Sequence, residues 1–437
     1  MPKTPVLNSE LRIDGDRLWA RLEELALIGA TPAGGVHRLA LSAADSCARD
    51  WFQERAEQIG LVVSIDDIGN MFARRAGTDD RLLPVLLGSH LDSQPTGGRF
   101  DGPLGVLAAL EVIDTVNEHE ITTPAPIEVV NWTNEEGVRF PPAMMGSGVF
   151  SGRFSIEDAM ASVDPDGITV ADAIDKIDYR GGDPVGKHCL GAALELHIEQ
   201  GPILEERGCD IGVVTGVQGT RWFDLTLRGE ETHAGPTPMS QRTDPVAVLG
   251  SALVAMYHRV EGEFAPDGRL TFGVISTKPA SRNTVPGKVT LTVDIRHPRN
   301  DGLDALETCV KEEVAAACAL RNAKWDLKTV WESIPIQFSD QCLRAISEAA
   351  DSLGYSTLEL MAGAGHDSVH TADVAPTGMI FVPCKNGVSH NESESITFEQ
   401  AEAGANVLLH AALTLANPNE RERERSSTSA CFVPDDI

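Results

Sequence analysis

The stretch PVLLGSHLDSQPTGGRFDGPLGVLAALEVIDTV, residues 84–116, decides how this chain folds. It opens with the apolar run Pro84–Leu87, which is typical of a buried strand. It closes with Pro103–Val116, which predicts a helix, because proline favours the first turn and residues such as Leu104 and Leu107 recur at helical spacing. A loop rich in glycine joins the two. A strand followed by a helix is the building block of an α/β fold, and such folds place their sites at the carboxyl ends of the strands.

The same alternation extends along the chain in both directions. Further elements are predicted at Gly15–Leu27 and Ser42–Ile59 as helices, and at Leu61–Ile65, Ile127–Trp132 and Ala193–Ile198 as strands. Alternation of helices and strands resumes from Ser339 to Thr414. We therefore expect an α/β domain, built from residues 1–215 and 331–416, whose mostly parallel sheet is flanked by helices.

The pattern changes near Gly216. Two long segments alternate like antiparallel strands, Phe223–Arg228 and Gly287–Arg296. Two others have helical spacing, Pro245–Val260 and Leu303–Ala319. These segments predict a smaller α+β domain of residues 216–330, inserted into the first. The final residues, 417–437, are polar and charged, and they predict a disordered tail.

Composition excludes some classes of partner. The 437 residues include 36 basic and 65 acidic side chains, for a net charge of −29. This charge repels phosphate backbones and anionic lipid, so we expect neither nucleic acid nor membrane as a partner, although solubility alone explains an acidic balance. No apolar run approaches the ~20 residues that span a bilayer, and no secretory signal opens the chain. The cysteines form no C-x-x-C pair, which predicts reduced thiols, a cytoplasmic location and nitrogen and oxygen ligands for any metal.

A histidine and two aspartates follow the predicted strand Pro84–Leu87. His90 and Asp92 alternate onto one side of an extended segment, so the carboxylate is placed to orient the imidazole of a metal-bound histidine. An isolated H-x-D is a weak signal, and a structural role is more common. Asp101, just before the helix at Pro103, is either a helix cap or a bridge between two cations.

Glu135 and Glu136 follow the apolar strand Ile127–Trp132. Adjacent carboxylates are costly there unless something positive pairs with them. Because neighbours on an extended chain point in different directions, one can bind a metal ion while the other faces water as a general base. His197 ends another strand and His390 lies in a loop. Each histidine alone is more often structural, but the whole set lies at strand ends and loops of one domain.

Eight segments occur in an order that is more specific than any one of them: GSHLDSQPTGGRFDG, TNEEGVRF, ELHIEQG, THAGPTP, RNTVPG, DIRHP, GAGHDS and SHNESE. With this series the chain resembles the metal-dependent amidohydrolases of the M20 metallopeptidase superfamily. It is most similar to the N-carbamoyl-amino-acid hydrolases, a group that includes β-ureidopropionase and allantoate amidohydrolase. The resemblance covers about residues 14–415. It implies a dinuclear catalytic domain and an inserted domain that serves as lid and forms a homodimer.

The resemblance also implies a cofactor of two divalent metal ions, with Zn2+ as the default and Mn2+, Co2+ or Ni2+ as alternatives. His90, Asp101 and His197 are the implied ligands of one ion. Asp101, Glu136 and His390 are the implied ligands of the other, so that Asp101 bridges.

The remaining implied site residues act on water or substrate. Glu135 is the implied general acid/base, and His233 stabilises the oxyanion or polarises the scissile carbonyl. Asn283 and Arg296 grip the substrate's carboxylate, since the planar arginine fork matches it. Two further residues that line the site are Gln200 and His366.

Several alternatives stay open. His366 and His370 have the i, i+4 spacing of a helical metal site, although no glutamate base lies near them in sequence. His197 favours ureido or amide substrates over peptides, since exopeptidase members of the superfamily usually have an acidic ligand there. The segment SQPTGGRFDG is more similar to β-ureidopropionases than to the allantoate enzymes.

The implied reaction is hydrolysis of an N-carbamoyl amino acid, either β-ureidopropionate or an N-carbamoyl-L-amino acid, to the amino acid, carbon dioxide and ammonia. The alternatives within the superfamily are allantoate amidohydrolase, aminoacylase and dipeptidase. A non-catalytic binding protein that kept the fold is an alternative of another class. It predicts a missing ligand or base, yet every implied position is suitably occupied.

Overall fold

The computed structural model describes residues 10–79, 81–186 and 188–418. Its helices are α1 Gly15–Ala26, α2 Ala43–Gln58, α3 Pro103–Glu118, α4 Met145–Phe150, α5 Ile156–Ala161, α6 Val170–Lys176, α7 Ile203–Arg207, α8 Pro245–Glu263, α9 Asn300–Leu320, α10 Asp340–Leu353, α11 Ser368–Thr371 and α12 Phe398–Leu415. Its strands are β1 Val62–Ile65, β2 Met71–Arg75, β3 Val85–His90, β4 Ile127–Trp132, β5 Ala192–Ile198, β6 Ile211–Val217, β7 Gly219–Arg228, β8 Thr232–His233, β9 Arg269–Thr271, β10 Ile275–Lys278, β11 Thr284–Val285, β12 Lys288–His297, β13 Lys324–Ser333, β14 Ile336–Gln337, β15 Thr357–Ala362 and β16 Thr377–Val382.

The chain divides into two compact units. One consists of the residues up to Thr215 together with those from Phe338 onward, and the other is Gly216–Gln337. The segment 216–330 expected as an insertion lies within the second unit. That unit extends beyond residue 330 because β13 continues to Ser333, and Ile336 and Gln337 then pair with Val217 and Gly216 of the same unit.

The sheet of the first unit has the strand order β1-β2-β4-β3-β5-β16-β6, with β15 also paired to β6. Its centre is parallel, since β3 pairs in parallel with β4 and β5, and β5 with β16. Every residue of these four strands is buried, as expected for strands covered on both faces. Helix α3 is buried continuously from Pro103 to Val116 and packs against β3, α1 and α12. The predicted α/β class with a mostly parallel sheet flanked by helices is confirmed.

The second unit is an antiparallel sheet with two helices. Its strand order is β10-β12-β7-β13, with β9 paired to β12. Along β7 the buried residues Phe223, Leu225 and Leu227 alternate with more exposed ones, which is the period of a sheet with one covered face. Helices α8 and α9 pack on one another and contribute Val248, Leu303 and other apolar residues to the same core.

Some expectations differ from the structure. The sequence analysis does not predict the helices α4 to α6 or the strand β2, because short elements give little periodicity. Of the cysteines in the described ranges, six are free, but Cys189 is disulfide-bonded, so the expectation of reduced thiols is wrong at that position. Of the predicted tail, residues 419–437 lie outside the described residues. Among the described helices, none has the length and apolar content needed to cross a bilayer.

Candidate metal centre

The site lies at the carboxyl edge of the parallel strands of the first unit. His90 is the last residue of β3, Glu135 follows β4, and His197 lies near the end of β5. The loop after β3 returns to this edge at Asp101, and the loop after β16 contains His390. Because parallel strands end together, residues far apart in sequence meet at one edge of the sheet.

The first group of possible ligands is buried. The ligand atoms of His90, Asp101 and His197 all lie within 4.8 Å of one another. His197 Nε2 is 3.1 Å from Asp101 Oδ1, and His90 Nε2 is 4.0 Å from the same oxygen. Within the described part of the chain, His197 Nε2 is buried and has no hydrogen-bond partner. A buried nitrogen without a partner is costly, and a cation held between this nitrogen and the carboxylate removes that cost.

The second group is partly exposed. It consists of Asp101, Glu136 and His390. His390 Nε2 lies 3.3 Å from Asp101 Oδ2 and 3.4 Å from Glu136 Oε2, and its side chain is 51% exposed. Both oxygens of Glu136 accept hydrogen bonds from Gln94, at 3.0 Å from its backbone nitrogen and 2.6 Å from its side-chain amide.

The two oxygens of Asp101 face different groups. Oδ1 faces His90 and His197, whereas Oδ2 faces His390. The alternative in which Asp101 caps α3 is wrong, because the residue at the cap is Gly102 and no side chain caps this helix. Asp101 therefore has the geometry of a carboxylate shared by two cations.

Asp92 supports the site differently from the prediction. His90 Nδ1 lies 2.9 Å from the backbone carbonyl of Asp92, while the Asp92 carboxylate is 3.7 Å away. That carboxylate instead accepts the backbone N–H groups of Glu135 and Glu136, each at 3.2 Å. The expectation that the carboxylate orients the imidazole is wrong, because the carbonyl is closer and the carboxylate is used by the Glu135–Glu136 loop.

Gly102 is required by the approach of His90. A Cβ atom at this position would lie 2.5 Å from Cε1 of the His90 ring, and the backbone φ is +84°. Both the contact and the left-handed backbone exclude a larger residue. The glycine thus allows the loop after β3 to close against the ring that β3 presents.

Glu135 is buried beside the first group. Its Oε2 lies 3.5 Å from His90 Nε2, and its side chain is 11% exposed. Burial raises the pKa of Glu135 well above its usual range, and the Asp367 and Glu136 carboxylates raise it further. Asp367 is itself buried, with Oδ1 accepting the Ser147 hydroxyl and Oδ2 lacking a partner among the described residues. This concentration of negative charge fits divalent cations, whose charge would return Glu135 to the ionised form.

Three loops at this edge have left-handed backbone at residues other than glycine. The φ angles are +56° at Asn134, +57° at Gln200 and +54° at His390. Such conformations persist where the surroundings hold them, and they cluster at functional sites. The Asn134 amide, for example, donates to the Phe140 carbonyl at 2.7 Å and so holds the turn that precedes Glu135.

Comparisons with known proteins identify the family of the chain. Residues 86–414 match the family model described as Peptidase family M20/M25/M40. The chain belongs to the M20 peptidase family. An N-carbamoyl-L-amino-acid amidohydrolase of Rhizobium meliloti is 45% identical over 405 residues, covering 93% of this chain and 97% of that protein. An allantoate amidohydrolase of Bacillus subtilis is 33% identical over 90% of this chain and 96% of that protein.

The chain is also similar to solved structures. The crystal structure of a hydantoinase/carbamoylase family amidase from Burkholderia multivorans has a TM-score of 0.89 and 48% identity, covering 93% of this chain and 98% of that one. Membership of the M20 family fits a metal-binding site, and so do the two groups above and a third buried group of possible ligands, Glu195, His197 and His366.

Gln200 and His366 lie beside these possible ligands. Gln200, expected to line the site, donates its amide to Asp101 Oδ2 at 3.0 Å. The His366 ring lies across that of His197, with centroids 4.5 Å apart, and its Nε2 is buried without a partner in the described structure. Burial holds the pKa of His366 well below its usual range, so its ring is neutral at pH 7.

The hypothesis of a helical metal site at His366 and His370 is not supported. Helix α11 begins at Ser368, so the two histidines do not share a helix. His370 packs edge-on against Phe154, with centroids 5.3 Å apart, and belongs to none of the ligand groups among the described residues.

The substrate residues predicted in the second unit lie on its strands. His233 in β8 pairs with Thr284 of β11, and the Asn283 carbonyl accepts the Ala234 N–H at 2.9 Å. The fold thus brings His233 and Asn283 together, with both side chains exposed. Arg296 lies on β12, where its Nη2 is 3.0 Å from Oδ2 of Asp294.

The structure adds residues that the sequence analysis did not identify. Glu394 is buried, and its Oε1 accepts the backbone N–H groups of Phe100 at 2.9 Å and Asp101 at 3.1 Å. The Ser389 hydroxyl lies 3.0 Å from Asp101 Oδ2. Both residues stand beside His390 in the SHNESE segment, which was the available signal. For Gln94, the only signal in the sequence was its position in the loop after β3.

Proposed function

We propose that this M20 protein hydrolyses the carbamoyl C–N bond of an N-carbamoyl-L-amino acid with two divalent cations bound. The observation that supports this most strongly is Asp101, whose two oxygens face separate ligand groups beside the buried Glu135. The 45% identity with an N-carbamoyl-L-amino-acid amidohydrolase over nearly the whole chain supports the substrate class. The reaction R-NH-CO-NH2 + H2O → R-NH2 + CO2 + NH3 balances with one water consumed.

His90, Asp101 and His197 would hold one cation, and Asp101, Glu136 and His390 the other. Nitrogen and oxygen ligands suit Zn2+, and Mn2+, Co2+ or Ni2+ can serve in the same set. Bound cations of this kind polarise a carbonyl and lower the pKa of water toward neutrality.

Glu135 accepts the proton of the attacking water and delivers it to the leaving nitrogen. Its position supports this role, since it lies against His90 but belongs to neither ligand group. Asp92 holds the backbone of Glu135 and Glu136 together, so that base and ligand keep a fixed separation. The surrounding residues exclude most water, which strengthens each electrostatic interaction.

The substrate's carboxylate is bound by Asn283 and Arg296, and the charge developing on the ureido oxygen is stabilised by His233. The exposure of His233 and Asn283 within their unit leaves both side chains accessible to a ligand. Arg296 exchanges its partner Asp294 for the substrate's carboxylate or binds it in addition. These roles follow from the M20 resemblance.

Ammonia and amino-acid release should be measured on metal-loaded protein with four substrates: N-carbamoyl-L-amino acids, N-carbamoyl-β-alanine, allantoate and N-acetyl amino acids. We expect the N-carbamoyl-L-amino acids to give the highest kcat/KM. Preference for allantoate would favour the second candidate, which the 33% identity with an allantoate amidohydrolase supports. No turnover of any ureido acid would overturn the proposal.

The protein would act as a cytoplasmic homodimer. The dimer follows from the M20 resemblance and the location from the sequence. Sedimentation of the purified chain tests the former, and cell fractionation tests the latter.

A further inference from the structure

A buried carboxylate and a hydroxyl lie behind the shared ligand Asp101. The Ser389 hydroxyl is 3.0 Å from Asp101 Oδ2 and 3.1 Å from Glu394 Oε2. A hydroxyl has one hydrogen, so at any moment it donates to only one of these two oxygens. Ser389 therefore has two alternative acceptors, one on each carboxylate.

The second oxygen of Asp101 is already occupied. It accepts the Gln200 amide at 3.0 Å as well as the Ser389 hydroxyl. A carboxylate oxygen offers about two lone pairs, and a cation at the second group needs one of them. By contrast, Asp101 Oδ1 faces only the two histidines of the first group among the described residues, with His197 Nε2 at 3.1 Å and His90 Nε2 at 4.0 Å.

We propose that Glu394 acts as the alternative acceptor for the Ser389 hydroxyl, and that this releases Asp101 Oδ2 to bind the second cation. The inference rests on the proposed function, because it assumes that Asp101 is shared by two cations. Glu394 is thus a positioning residue that contacts neither cation nor substrate. When a cation approaches Oδ2, the Ser389 hydrogen turns to Glu394 Oε2, and no buried group is left without a partner.

The contacts of Glu394 favour this role. Its Oε1 is committed to the backbone N–H groups of Phe100 and Asp101, which leaves Oε2 for Ser389. A Cβ atom on Gly98 would lie 2.0 Å from the Glu394 carboxylate, so the glycine is what admits the carboxylate to this place. The loop of Asp101 and the loop of His390 are therefore joined through one buried side chain.

Glu394→Gln tests the exchange with little change in shape. The amide oxygen can keep the two backbone N–H groups, while its NH2 then faces Ser389 and donates to it. The Ser389 hydrogen is left with Asp101 Oδ2 as its only carboxylate acceptor, so the cation must displace it without compensation. We expect titration of the apo protein with Zn2+, followed by calorimetry and metal analysis, to show the second equivalent weakened at least about tenfold and the first unchanged.

Ser389→Ala provides the opposite change. It removes the hydroxyl and frees Asp101 Oδ2, so the second equivalent should bind no more weakly than in the wild type. In the double variant Ser389→Ala/Glu394→Gln the affinity should return to the level of Ser389→Ala, because the amide has no hydroxyl to hold. A residue that only maintained the fold would give additive losses in the double variant.

Glu392→Gln is the matched control. This glutamate lies in the same loop, but its carboxylate accepts from Thr31 and not from the Asp101 network. It should leave both equivalents unchanged. If the wild type binds two cations and Glu394→Gln binds the second equally well, the inference is wrong while the proposed function stands. A wild type that binds fewer than two cations overturns both.

Discussion

The two groups of ligands that share Asp101 differ in how ready they are for a cation. In the first group His90 and His197 are each about 2% exposed or less, and His197 Nε2 faces Asp101 Oδ1 without a hydrogen bond. In the second, His390 is 51% exposed, and the oxygens of Glu136 and Asp101 Oδ2 already accept hydrogen bonds. The first group is preorganised for a cation, whereas the second would have to give up hydrogen-bond partners to bind one.

In the proposed dinuclear site, one carboxylate would therefore serve two unlike positions. The cost of burying an unpartnered nitrogen favours occupation of the first group. The hydrogen bonds at the second hold its geometry when no cation is present, and they compete with the cation. We therefore expect the first group to fill at lower concentrations of metal and the second to exchange faster.

The largest effect should come from the proposed base, Glu135, which lies against His90 of the first group. Glu135→Gln keeps the shape of the side chain but removes the proton acceptor, so turnover should fall about 10²–10⁴-fold. Because Glu135 is in neither ligand group, metal analysis should still find the wild-type content. Activity that survived the change, or a loss of metal with it, would show that the base is assigned to the wrong carboxylate.

Removing one histidine from each group separates the two positions. His197→Ala should weaken the tighter equivalent at least about 100-fold and His390→Ala the weaker one, since each loses one ligand of three. Titration of both apo variants with Zn2+ distinguishes the equivalents. The comparison fails if both variants weaken the same equivalent.

The smallest effect concerns how the folding stability of the apo protein depends on pH. This dependence is the baseline for measuring stabilisation by metal. Burial lowers the pKa of His370 from 6.5 to about 4. Between these values the unfolded chain binds a proton that the folded chain does not. Stability is therefore fully present above pH 6.5 and falls as the pH drops toward 4, by about 1 kcal/mol per unit. His370→Leu should flatten this slope in denaturant unfolding of the apo protein.

The exposed His119, changed to leucine, is the control for that experiment. Its ring is not enclosed by the fold, so the variant should keep the wild-type slope. An equal flattening in both variants would show that the slope does not originate at His370.

Much of this architecture could be predicted from the sequence, because the signals were local or ordered. The apolar strand that ends near His90 and the proline that begins α3 indicated where the first loop lies. The order of eight segments indicated the ligands that meet at the edge of the sheet. Cooperation between loops could not be predicted in the same way. The choice between carbonyl and carboxylate at Asp92, and the contacts of Glu394, depend on distances that only the folded backbone sets.

The left-handed backbone at Asn134, Gln200 and His390 has a consequence for protein engineering. Glycine at any of these positions would relieve a steric cost on the order of 1 kcal/mol. A library selected only for melting temperature would therefore favour glycine at His390, whose side chain is half exposed, whereas glycine at the buried Asn134 would also remove its hydrogen bond to Phe140. It would also loosen the turns that aim the site, and at two positions it would delete a side chain that contacts Asp101. Selection for melting temperature alone would enrich variants that are more stable but less active. The screen must therefore also measure turnover.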